Sequence, residues 1–284
     1  MLSVNIIGAG AVGQTFGYLL AKHRVATIQA VINQTEPSTA CALEFIGQGQ
    51  AYRSIHDLPP ADLTLLTVVD RHITNLAEEL AANPLLRSGS VVMHCSGALT
   101  SACLAGLRAK QCAVASFHPA MSLKNPQWSV QHFAHTPCAV EGDPVAVTLI
   151  TDVFTAIGAD VYQIAPENKA LYHAAAVFAT NYQVVLLQQA FTSFVEAGLT
   201  PSRAKTVIDR FLQTVCENVQ QVSEPRHALT GPVQRGDVET IQRHLQALSD
   251  PLVRNLYVSL VKETLTLANL EETIAEKIRQ ILHL

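Results

Sequence analysis

Charge is scarce in this chain, and positive charge scarcer still: only 15% of its 284 residues are charged, 19 basic against 23 acidic, for a formal net charge of -4. Without a basic excess, nucleic acid is not the default partner. Cysteines are few and scattered (Cys41, Cys95, Cys103, Cys112, Cys138, Cys216), with no C-x-x-C pair and no metal-ligand spacing. That pattern favours buried small hydrophobes in a reducing compartment over a disulfide framework. No basic segment precedes the first apolar run: Met1-Leu2-Ser3-Val4-Asn5 leads into a glycine turn by Gly8, unlike a signal peptide. The greasiest stretch, Leu171 to Leu187, is interrupted by His173, Asn181 and Gln183, which suits a buried core helix better than a membrane span. These absences point to a soluble, cytoplasmic protein. What the chain has is apolar side chain, 49% of residues, enough for one large or two ordinary domains and too much for a disordered chain.

The first half alternates short apolar runs with helical patterns. Leu2–Ile7 reads as a strand, Val12–Lys22 as a helix and Thr27–Ile32 as a second strand. Leu63–Val69 is a further strand, followed by helical periodicity over Ile73–Ala81. Ser90–Met93, Cys112–Ser116, Cys138–Val140 and Val161–Ile164 are shorter strand candidates. Strands apolar on both faces and separated by helices imply a parallel sheet covered on both sides. From Pro166 the period changes to that of helices: Glu167–Ala197, Ser202–Val222, Val238–Ala247, Asp250–Leu267 and Leu270–Leu282. The expected architecture is an α/β dinucleotide-type domain over 1–165 and an all-α domain over 166–284.

Gly8-Ala9-Gly10-Ala11-Val12-Gly13 stands between the first strand and the first helix. In that setting G-x-G-x-x-G is a dinucleotide fingerprint. Gly8 makes the tight turn, Gly10 lets the backbone approach a pyrophosphate, Gly13 lets helix and strand pack, and the helix N-terminus favours the anion. An acid at the end of the second strand would hold the ribose hydroxyls of NAD; here stand Asn33, Gln34 and Thr35. Asn33 can donate hydrogen bonds without repelling a 2′-phosphate, so NADP(H) is favoured over NAD(H), although no arginine is adjacent in sequence and Glu36 is an alternative partner for NAD.

Val69 and Asp70, Ser96-Gly97 and Phe117-His118-Pro119 sit at the carboxyl ends of strands, where parallel sheets present ligands. Ser96 is a candidate for the nicotinamide or a substrate carboxylate, and His118 for substrate. In the helical half, Lys169 and His173 are four residues apart and share a helix face, with Asn181 two turns beyond His173. A later Gly/Pro-punctuated loop carries Thr230, Arg235 and Asp237; Arg235 can fork onto a carboxylate, and Asp237 is either a ligand or the N-cap of the next helix.

These motifs resemble a family of Rossmann-like two-domain oxidoreductases whose helical domain is similar to the 6-phosphogluconate dehydrogenase C-terminal fold. The resemblance is carried by the glycine turn, His94-Cys95-Ser96-Gly97-Ala98-Leu99, Phe117-His118-Pro119, Val140-Glu141-Gly142-Asp143, Leu171-Tyr172-His173-Ala174-Ala175-Ala176, and Ala228-Leu229-Thr230-Gly231-Pro232 with Arg235-Gly236-Asp237. That family includes an alternative form of ketopantoate reductase. In related branches a lysine early in the long helix is the general acid, a role the resemblance gives to Lys169, with His173 standing where an asparagine is usual. It implies NADPH-dependent reduction of a 2-oxo acid, ketopantoate first, in a cleft between the domains. Alternatives are a 3-hydroxyacid dehydrogenase, an imine reductase of the pyrroline-5-carboxylate type, or a regulator that binds NADP(H) without turnover. A metal site of His94, His118 and His173 is disfavoured because no two share a compact ligand motif. The long apolar helix faces predict a homodimer.

Overall fold

The computed structural model describes residues 1–282, leaving His283 and Leu284 of the expected helical domain outside the described residues. The chain divides into two compact units, Met1–Ala179 and the remainder from Thr180. The first is built on one eight-stranded sheet. Its strands are β1 (Leu2–Ile7), β2 (Ala26–Ile32), β3 (Gln50–Ala51), β4 (Leu63–Leu66), β5 (Val91–His94), β6 (Ala113–Pro119), β7 (Pro137–Gly142) and β8 (Asp160–Gln163), in the order β3-β2-β1-β4-β5-β6-β7-β8. The helices of this unit are α1 (Ala11–Lys22), α2 (Glu36–Ile46), α3 (Ile73–Ala81), α4 (Pro126–His132), α5 (Pro144–Thr155) and α6 (Lys169–Ala179). A 3-10 stretch, Ser101–Lys110, follows β5.

The sheet is covered on both faces, as its unbroken apolar strands require. Val4 and Ile6, Leu63 and Leu65, Val91 and Met93, Ala115 and Phe117 point to one core. Ile7, Leu66, Val92 and Val114 point to the other, with Ile73, Ala77 and Leu80 of α3. Phe16 of α1 is the hub of the first core, edge-on to Phe154 of α5 at 4.9 Å, to Phe133 at 5.6 Å and to Phe117 at 5.9 Å. One pairing departs from the expected all-parallel sheet: β6 and β7 run antiparallel, with Phe117 opposite Val140.

The second unit contains α7 (Asn181–Glu196), α8 (Pro201–Gln220), α9 (Val238–Ala247), α10 (Pro251–Leu267) and α11 (Glu272–Ile281), with its own core of Val233, Ile241, Leu245, Val261, Ile278 and Leu282. Where one helix was expected over Glu167–Ala197 there are two. Thr180 leaves helical geometry at φ -126°, ψ -74° and separates α6 from α7. This break puts the unit boundary at 179/180 rather than at the strand-to-helix change near 165, so Lys169 and His173 belong to the sheet unit. Pro166–Glu196 has the length and apolarity of a membrane span. It is not the buried core helix expected, since Leu171, Phe178, Val184 and Val185 are exposed. The six cysteines are free thiols; Cys112 and Cys138 are buried as expected, while Cys41 and Cys216 are exposed.

Candidate active site

The glycine turn works as its sequence implies. Gly8 is left-handed at φ +86°, and a Cβ there would collide with Val68 and lie 3.2 Å from the Thr67 carbonyl. A Cβ on Gly13 would sit 2.5 Å from Thr67 Oγ1 and 3.1 Å from Ile6, so α1 lies directly against β1 and β4. Thr67 Oγ1 donates to the Gly8 carbonyl at 2.8 Å and locks the turn to β4. Gly10 faces open space, and α1 begins there with no side-chain cap and no acidic residue in its first turn. The N–H groups at its start, at Ala11 and Val12, are thus left for an anion.

This turn opens into a crevice of about 870 Å³ lined by Gly8, Gly10, Asn33, Gln34, Arg53 and Val69 among others. The sheet order places it where the chain crosses from β1 to β4, the switch point at which parallel sheets bind ligands. A turn that only glycine can make, an uncapped helix start and a crevice at the switch point together fit a dinucleotide. Asn33 plays a different part from the one expected. Its Nδ2 donates to the Ser38 carbonyl at 3.0 Å and the Ala9 carbonyl at 3.4 Å, tying the loop after β2 to the glycine turn and leaving no amide hydrogen for a phosphate.

A second cluster stands at the ends of β5 and β6. Lys169, the first residue of α6, is 1% exposed, and its Nζ has no hydrogen-bond partner. Burial pulls its pKa below the usual lysine value, and the Glu141 carboxylate partly opposes this. Glu141, itself buried, accepts from Ser101 N at 2.7 Å and Ser101 Oγ at 2.8 Å. One turn on, His173 also has a buried Nδ1 without a partner. That nitrogen and His118 Nε2 converge on Gly97: a Cβ there would collide with His173 and lie 2.8 Å from His118.

His118 is neutral at physiological pH, pushed down to about 4 chiefly by burial and then by the charge of Lys169. Its Nδ1 lies 3.4 Å from Tyr172 Oη, which accepts from Tyr162 Oη at 3.1 Å.

Ser96, Lys169, His118 and His173 all fall within the sheet unit, but Ser96 serves the turn rather than a ligand. Its hydroxyl donates to Asp70 Oδ2 at 2.7 Å and accepts from Leu99 N at 2.9 Å and Ala98 N at 3.2 Å; its N–H goes to His94 Nδ1. No donor of Ser96 is left for nicotinamide or substrate. His94 has both ring nitrogens engaged, the other with the Thr100 carbonyl at 3.2 Å, and burial holds its pKa near 4. Such a histidine offers no lone pair to a metal, and among the described residues there is no cluster of three or more metal-ligating side chains.

Asn181, Thr230, Arg235 and Asp237 lie in the second unit. The break at Thr180 removes the helical phase by which Asn181 was placed two turns beyond His173. Asp237 is the N-cap of α9: Oδ1 accepts from Thr240 N at 3.0 Å and Oδ2 from Thr240 Oγ1 at 2.7 Å. Sequence reasoning passed over Tyr172, which adjoins His173, and Arg53, which no motif marks.

Comparison with known proteins agrees with this geometry. Residues 1–119 match a Rossmann-like domain, and residues 136–264 match a domain of unknown function, DUF2520. The chain thus carries a Rossmann-like domain followed by that C-terminal domain. No curated protein matches it. Among solved structures it is similar to protein TM1727 from Thermotoga maritima, with a TM-score of 0.74, 23% identity, and coverage of 97% of this chain and 99% of that one. An imine reductase from Myxococcus stipitatus in complex with NADP+ aligns at a TM-score of 0.64 and 14% identity, covering 98% and 94%. The pyrroline carboxylate reductase of Plasmodium falciparum with NADP bound aligns at 0.58 and 12%, covering 99% and 98%. These likenesses establish the fold: a Rossmann-like sheet followed by a helical C-terminal region.

Proposed function

We propose that this chain is an NADPH-dependent reductase of a small 2-oxo acid, with ketopantoate the first substrate to try and Lys169 the proton donor. The observation that carries this is the buried, unpartnered ammonium of Lys169 beside the equally unpartnered His173 Nδ1. Buried polar atoms are nearly always hydrogen-bonded, so a pair of orphans in one polar cluster calls for a ligand. NADPH, when bound, supplies hydride. The chain must then stabilise and protonate the oxygen that gains charge at the substrate carbon. Lys169 brings a positive charge and a proton there, and burial makes the proton easier to give up. His118, neutral and with Nε2 turned toward Gly97, offers a second hydrogen-bonding group without a second charge.

The test is NADPH consumption against a panel of ketopantoate, other 2-oxo acids, a 3-hydroxyacid run in reverse with NADP+, and a cyclic imine. Turnover with an oxo acid at a rate well above the others is expected. The fold shared with the imine and pyrroline carboxylate reductases makes the imine the second reading. Tight NADPH binding with no consumption on any substrate would leave a nucleotide-binding regulator instead.

We also propose that the protein is a cytoplasmic homodimer. Val184 and Val185 on α7 and Phe211 and Val215 on α8 are exposed, and large apolar side chains left exposed on helices are the kind of surface that a partner copy covers. Light scattering is expected to give twice the chain mass at all practical concentrations. A monomer mass independent of concentration would refute it.

A further inference from the structure

The crevice contains a cation that the strand-end motif does not supply. Arg53 follows the two-residue strand β3, which pairs in parallel with β2 through Ala30–Gln50 and Val31–Ala51. That pairing sets Arg53 beside the end of β2, where it lines the crevice with Gln34 and Ser38. Its guanidinium meets the Glu36 carboxylate at 2.6 Å, both side chains being largely exposed. Asn33, the residue the sequence offers for this place, has its amide committed to two backbone carbonyls. Arg71 and His72 line the same crevice from the β4 side, across the glycine turn, and Arg71 Nε donates to His72 Nε2.

We infer that Arg53 and Glu36 together decide which nicotinamide dinucleotide binds, with Arg53 holding a phosphomonoester on the ribose 2′-oxygen of the adenine nucleotide. The inference rests on the crevice being a dinucleotide site and deepens that reading. The ribose next to the adenine lies at the end of β2 in this fold, so its 2′ substituent meets whatever charge stands there. Glu36 alone would accept from a free ribose diol and repel a phosphate. Arg53 alone would fork onto the phosphate. Paired, they nearly cancel for an approaching ligand, and the balance tips when Arg53 exchanges the Glu36 carboxylate for a doubly charged phosphate. The expected result is a real but moderate preference for the 2′-phosphorylated form, weakened by salt because the pair is exposed.

The experiment is calorimetric titration of the full chain with adenosine 2′,5′-bisphosphate and with adenosine 5′-monophosphate, which differ only by the 2′-phosphate. Both probes are adenine nucleotides of the cofactor and need no turnover. Wild type is expected to bind the 2′-phosphorylated probe about ten-fold more tightly, the scale of one charge-assisted hydrogen bond. Arg53→Ser should remove that preference while changing the affinity for adenosine 5′-monophosphate little. Glu36→Gln should enlarge it several-fold, and Arg71→Ser should leave the ratio where it was. An Arg53→Ser protein with the wild-type ratio, or a wild type that binds both probes equally, overturns the assignment of Arg53 while the dinucleotide site stands. If wild type binds neither probe, the crevice is not a dinucleotide site, and both proposals fall.

Discussion

Lys169→Met is expected to lower kcat by about 10²- to 10⁴-fold, the usual contribution of a positioned proton donor, while NADPH affinity stays near wild type. Methionine keeps the length and apolar stem of lysine and deletes only the ammonium. The crevice at the glycine turn, the proposed cofactor site, does not include residue 169, so binding and chemistry should separate in a single-turnover measurement. Two pH effects should change along with the rate. In wild type the donor must be protonated, and its pKa lies below the ordinary lysine value because the site is buried. The rate should therefore fall on the alkaline side earlier than a free lysine would allow, and that limb should vanish in the variant.

Stability gives a second readout with the opposite sense. A lysine whose folded pKa is depressed binds fewer protons folded than unfolded between that pKa and about 10.4. Wild-type stability should rise with pH through this window, and the urea midpoint of Lys169→Met should lack that rise. A variant with near-normal turnover removes Lys169 from the chemistry, whatever its stability.

How far the sequence reveals this site depends on how local the cause is. The β1–turn–α1–β2 unit was readable because each element carries its own signal: strands buried on both faces are apolar throughout, and the turn needs glycine at Gly8. Lys169 and His173 were readable as a pair because four residues make one helical turn. The break at Thr180 was not, since neither proline nor glycine marks it, and without it α6 could not be assigned to the sheet unit. Ser96 looked like a ligand because a serine at a strand end often is one; only the coordinates show its hydroxyl and N–H already spent on Asp70, His94 and the turn that follows. Arg53 owes its place to a strand of two residues, too short to leave a periodic signature. The exposure of α7 misled in a similar way, because an exposed apolar helix has the same composition as a buried one.

Gly97→Ala tests the other half of the cluster with a single methyl group. Gly97 is not held by backbone strain, since it is absent from the left-handed positions of this chain. It is held by space: the added carbon would strike His173 Nδ1 and press on His118 Nε2. Two rings must then move. His118 is packed edge-on to both Tyr172 and His173 at 5.8 and 5.9 Å, so neither ring moves alone. The expected cost is about 1–3 kcal/mol of stability, typical of overpacking. A loss in kcat/KM of about 10²-fold should accompany it, on the scale of the rate lost when reacting groups are misplaced by an ångström.

A double-mutant cycle isolates the cause. In a His173→Ala background the tighter of the two clashes is gone and only His118 is pressed, so Gly97→Ala should cost at least about 1 kcal/mol less than in wild type, within the range of coupling between touching residues. Equal costs in the two backgrounds would mean that the glycine serves the backbone of the turn rather than the space between the imidazoles.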